Sequence, residues 1–259
     1  MVRLFLISTL WISFTGNVVQ ATCPQVVKNQ AAYTLLDGIQ SKIYNAFVQS
    51  LMLQDNQPLI TLGDELENLY KTNPNNLILY WHSYLQFYSS VYYLKNGDKK
   101  NAEKETDKGI NQLEEMENKS SEDFALLAML QGFGIQFKGM KAMFVSADIK
   151  KNAKQAIAMD STNLRAYYVY ANNDFRTPEK YGGGKEAETY LLKAVSLPAQ
   201  MMRNEYLPSW GKEESYEVLI KLYIRQEKWD LAKKYFQEGI KEFPDSYTIN
   251  QLASKLVGK

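Results

Sequence analysis

"SYEVLIKLYIRQEKWDLAKKYFQEGIKEFPDS", Ser215 to Ser246, is the stretch whose reading decides the fold. Tyr216, Leu219, Ile220 and Tyr223 recur at spacings of three and four, which places them in one apolar stripe along a helix. Glu227-Lys228 makes a short turn, after which Trp229, Ala232, Phe236, Gly239 and Ile240 set a second stripe. Two amphipathic helices joined so briefly must face each other. Ala232 and Gly239 are small where the helices approach to about 8–10 Å, and Phe236 fills the space beside them. Pro244 cannot continue the second helix and ends it.

Outward from that hairpin the same pattern recurs. Second-helix spacing reappears as Ala187, Leu191 and Ala194; as Ile149, Ala153 and Ala156; as Ala102, Thr106 and Gly109; and as Leu62, Leu66 and Leu69 before Pro74. No run alternates apolar and polar residues between turn signals, so the expected class is all-α. Breakers fall at Asn73-Pro74, Asn96-Gly97, Lys119-Ser120-Ser121, Asp160-Ser161, Gly182 to Gly184, Pro208 and Pro244-Asp245, which suggests antiparallel hairpins. Ile249, Leu252, Ala253 and Leu256 lie at helical spacing within residues 247–257, which read as a capping helix.

These residues resemble the tetratricopeptide repeat, a helix-turn-helix unit of about 34 residues. Tyr216, Leu219, Tyr223, Ala232, Phe236, Gly239 and Pro244 match its slots, Ile220 departs where a small residue is usual, and "MDSTN" stands where the family has an Asp-Pro turn. The best matches are residues 164–197 and 213–246; toward the N-terminus the resemblance fades, and it leaves open whether residues 24–73 form a repeat. It implies one domain over residues 22–259, a right-handed α-α superhelix of about five hairpins plus the cap. It also implies a groove for a protein or peptide partner, with no enzymatic activity, cofactor or metal. A stack held only by neighbours would lose its last hairpin to Gly239→Leu without unfolding elsewhere.

"EKYGGGKEAETYLLKAV", Glu179 to Val195, raises the possibility of a phosphate-cradling loop. Such a loop follows a strand, has an earlier glycine, and places a hydroxyl after Gly-Lys. Here Glu186 follows Lys185 and would repel a phosphate. The slots Ala171 and Ala187 are sixteen apart, against twelve for Ile220 and Ala232, so the glycines form an insertion in a repeat turn. "TPEKYGGGKEAETYLLKA" and "LPSWGKEESYEVL" also resemble exported bacterial tetratricopeptide proteins carrying P-x-x-(aromatic)-G-G and P-x-W-G elements.

The N-terminus supports export. Arg3 precedes an apolar stretch from Leu4 to Phe14 and the small-residue pattern Val19-Gln20-Ala21, as in a signal peptide over residues 1–21 cleaved after Ala21. The stretch falls short of the roughly 20 residues that span a bilayer. Removing Arg3 from 30 basic and 29 acidic side chains leaves equal numbers, which disfavours nucleic acid as a partner. The expected location is the periplasm, with secretion or outer-membrane anchoring through a lipidated Cys23 as alternatives. Cys23 is the single cysteine, which excludes an internal disulfide.

Catalytic groups are scarce. His82 is the only histidine, has no acid on its own helical run, and reads as a packing residue. Paired carboxylates such as Glu114-Glu115 and Glu213-Glu214 read as solvated faces. Two surfaces remain as candidates. Between Tyr80 and Tyr93, one face carries Tyr80, Tyr84, Phe87 and Val91 as core; the other, with Trp81, Leu85, Tyr88 and Tyr92, either lines a cleft for a peptide, small ligand or glycan or is covered by a neighbour. Aligning repeats places Lys138, Lys141, Arg165, Tyr168, Asn172, Lys221 and Arg225 on one concave side, which reads either as a partner-binding surface or as a solvated basic face.

Overall fold

A computed structural model describes residues 34–199 and 205–259. The signal-peptide and Cys23 readings lie outside the described residues. Among these, the elements are helices: α1 (Ile39–Leu53), α2 (Gln57–Thr72), α3 (Asn76–Lys95), α4 (Lys99–Glu115), α5 (Ser121–Gly134), α6 (Ala142–Met159), α7 (Leu164–Arg176), α8 (Ala187–Ser196), α9 (Lys212–Arg225), α10 (Trp229–Glu242), α11 (Tyr247–Asn250) and α12 (Ala253–Leu256). Each odd-numbered helix from α1 to α9 pairs with the next, giving five hairpins; first helices pack on first helices, and each second helix packs on the following first helix. The chain is a helical solenoid of hairpins.

The small residues act where their spacing predicted. Ala102, Ala153, Ala156, Ala187, Ala194 and Ala232 are fully buried. A Cβ on Gly109 would lie 2.6 Å from Leu130 Cδ2 and 3.2 Å from the Ser83 carbonyl oxygen, so α4 approaches α3 and α5 too closely for a side chain. Residues 39–72 form a hairpin, and Leu59, Leu62, Leu66 and Leu69 supply its buried stripe.

Three details differ from the sequence reading. The third hairpin turns through two 3-10 segments, Ile135–Phe137 and Gly139–Lys141, at a point without an expected breaker. The cap is two short helical turns, α11 and α12, with Ile249, Leu252 and Leu256 buried but Ala253 exposed. Pro208 lies between α8 and α9 as a breaker should, but residues 206–211 around it are laid against the first helices instead of making a short turn.

Candidate functional site

That crossing segment covers part of the aromatic surface of α3. Trp210 is buried; its ring stacks near Tyr84 at 6.3 Å between centroids, meets Tyr168 edge-on at 6.2 Å, and its Nε1 donates to the Tyr80 hydroxyl at 2.8 Å. Ser209 N donates to Gln40 Oε1 at 2.8 Å, and Trp81 Nε1 donates to the Tyr206 carbonyl at 2.9 Å. Gly211, at φ 103°, then turns the chain into α9, where a Cβ would stand 2.7 Å from Arg165 Cγ. Residues 206–211 are therefore a strap that ties α1, α3 and α7 to the start of α9.

Of the two readings of the aromatic stripe, an open cleft or a face covered by a neighbour, this geometry agrees with the covered one and not with the cleft. Trp81, Leu85 and Tyr92 are buried, and Tyr88 is half-buried against Phe47 of α1 at 5.1 Å between ring centroids. Tyr80 and Tyr84, read as inter-helix core, are the pair that receives Trp210. A sugar or peptide has no access to Trp81 in this arrangement.

The basic candidates are dispersed among structural duties. Arg165 is 3% exposed, forms a two-pronged ion pair with Glu122 of α5, and donates through Nη1 to the Trp210 carbonyl at 3.3 Å. Lys138 lies off the first helices, between α5 and α6, and reaches across to Asp107 at 2.7 Å and Glu103 at 3.3 Å on α4. The side chain of Lys141 lies outside the described part. Lys221 pairs with Glu217 one turn away, and Arg225 covers the Phe175 ring at 3.6 Å while donating to the Phe175 carbonyl at 2.9 Å. Asn172 accepts from Arg176 Nε at 3.0 Å. Tyr168 packs on Trp210, and burial pushes its phenol far above the ordinary range. Asn172 alone of these lines an open cavity.

The glycine loop is a turn, and the start of α8 is already capped from within. Buried Asp174 accepts from the backbone N–H groups of both Glu186 and Ala187 at 2.9 Å, with Lys150 Nζ 3.5 Å from its other oxygen. A carboxylate thus satisfies the donors that a phosphate would need. His82 is equally committed: Nδ1 is hydrogen-bonded to the Gln112 amide at 3.0 Å and Nε2 to the Gln86 amide at 3.1 Å.

An open groove lies elsewhere. A groove of about 830 Å³ runs between the C-terminal halves of α5 and α7 and the start of α6, bounded by the glycine loop. Its lining includes the small residues Ala128, Gly132 and Ala147, the larger apolar Met129, Met140, Met143 and Tyr181, and the polar Asn172 and Arg176. Met140 is 99% exposed and Met143 66% exposed, and Tyr181 also faces solvent. Apart from Asn172, the sequence reading missed these residues, although three methionines within fifteen positions are a usable signal.

A thermophilic TPR protein from Thermus thermophilus shares this architecture, with a TM-score of 0.53 at 15% identity over 83% of this chain and 99% of that one. That similarity shows a TPR-like fold. No family model and no curated protein matches the chain.

Proposed function

We propose that the chain is a non-catalytic exported scaffold or adaptor that holds a protein or peptide partner against the groove between α5, α6 and α7. The observation that carries this reading is the exposure of flexible methionine side chains around a concave apolar surface, in a molecule whose other first-helix surface is filled by its own strap. Methionine adapts to partners of differing shape, and an apolar concavity with a few polar groups is the usual form of a binding site. The sequestered His82 supports a non-catalytic role, since neither ring nitrogen is offered to a substrate. The N-terminal Arg3 and the apolar stretch that follows support export, with the periplasm as destination.

Two measurements test the proposal. N-terminal sequencing of chain recovered from an exported fraction should begin at Thr22; a start at Met1 sinks the export reading. Affinity capture from that fraction should retain a partner on the wild-type chain and lose it with Met143→Glu, while Tyr247→Glu, on the distant cap, retains it. Equal capture by both variants would place the partner elsewhere.

A further inference from the structure

Resting on that reading of the groove, we infer that its partner segment is an amphipathic helix with an acidic edge. The lining contains two cations, Lys150 and Arg176, and no aspartate or glutamate. Lys150 is engaged with Asp174 at 3.5 Å and Glu186 at 3.8 Å, so its charge is largely answered inside the protein. Arg176 has no carboxylate partner among the described residues: its Nε donates to neutral Asn172, and its side chain is exposed. Lys180, in the adjoining loop, lies 4.9 Å from the Tyr181 ring centroid and likewise forms no ion pair among the described residues. The groove therefore presents an apolar trough with the unpaired guanidinium of Arg176 at its edge, and Lys180 stands nearby beside exposed Glu179.

Shape points to a helix as the occupant. The small side chains in the lining leave room for another helix to approach, and the methionines beside them supply the adaptable contacts into which residues at helical spacing insert. A partner edge of glutamates or aspartates would meet Arg176 and Lys180, while a basic edge would be repelled. Complementary rim charge governs partner choice and association rate, and salt weakens it.

Fluorescence anisotropy of the purified full chain provides the test, with two labelled synthetic helices sharing a Leu/Ala face, one flanked by Glu and one by Lys. The Glu-flanked peptide should bind roughly tenfold or more tightly at low salt, with the gap closing as salt rises. The double variant Arg176→Glu with Lys180→Glu should reverse that order, and Met143→Asp should weaken the acidic peptide. If both peptides bind equally but Met143→Asp weakens both, the groove stands and the acidic partner falls. If Met143→Asp changes neither, or neither peptide binds, the inference falls; insensitivity to Met143→Asp removes the groove reading as well. Sedimentation showing a dimer abolished by Met143→Asp would assign the surface to a second copy and overturn the inference.

Discussion

At the scale of single residues, burial decides what each polar group can do. His82 is 3% exposed; burial, helped by Lys108 and opposed by Glu67 and Asp64, lowers its pKa to about 4. The unfolded chain protonates the same ring near pH 6.5. Between those values the unfolded state holds more protons, so this contribution is full above about pH 6.5 and is lost as pH falls toward about 4, by up to about 3 kcal/mol. Urea unfolding of the wild type and His82→Gln across that interval should show a shallower loss in the variant; identical slopes would show that His82 is not the source. The packing role of His82 was legible because it sits within a dense aromatic helix. Arg165 was not: nothing in its local sequence discloses Glu122, which lies 43 positions away.

At the scale of elements, spacing disclosed most of the stack, because close helix approach requires small residues at fixed intervals. The two hairpin glycines are not equivalent, however. A Cβ on Gly239 would stand 3.2 Å from Ile249 Cδ1 and 3.4 Å from Tyr216 Cβ, contacts at the edge of the cap. Gly109 faces the 2.6 Å approach of Leu130 and a rigid carbonyl in the middle of the chain. Gly239→Leu should cost about 1–3 kcal/mol by overpacking, and Gly109→Leu more than that. Equal midpoint shifts in urea would contradict this ranking. The turn of the third hairpin escaped the sequence reading because it contains no proline or asparagine. Gly132, Gly134 and Gly139 were its only marks, and the first two are helical.

At the scale of the whole molecule, the strap changes how the hairpins depend on one another. A chain joined only through neighbours could release its last hairpin alone, but residues 206–211 also fasten the start of α9 to Gln40, Tyr80 and Trp81. Trp210→Ala removes the anchor of that linkage and should cost about 3–5 kcal/mol. Thermal unfolding should pass from one transition in the wild type to separate transitions for the N-terminal hairpins and the last hairpin. A single transition shifted intact would show that the neighbour interfaces suffice. The sequence displayed the Leu-Pro-Ser-Trp-Gly element but not its destination, because periodicity reports helices and says nothing of where a loop is laid. These bonds join positions 125 to 169 residues apart, unlike the local pairings within hairpins. Such distant closures raise contact order and slow folding. During synthesis the first hairpins emerge long before Trp210, so Tyr80 and Tyr84 must wait for the strap before their side of α3 is covered.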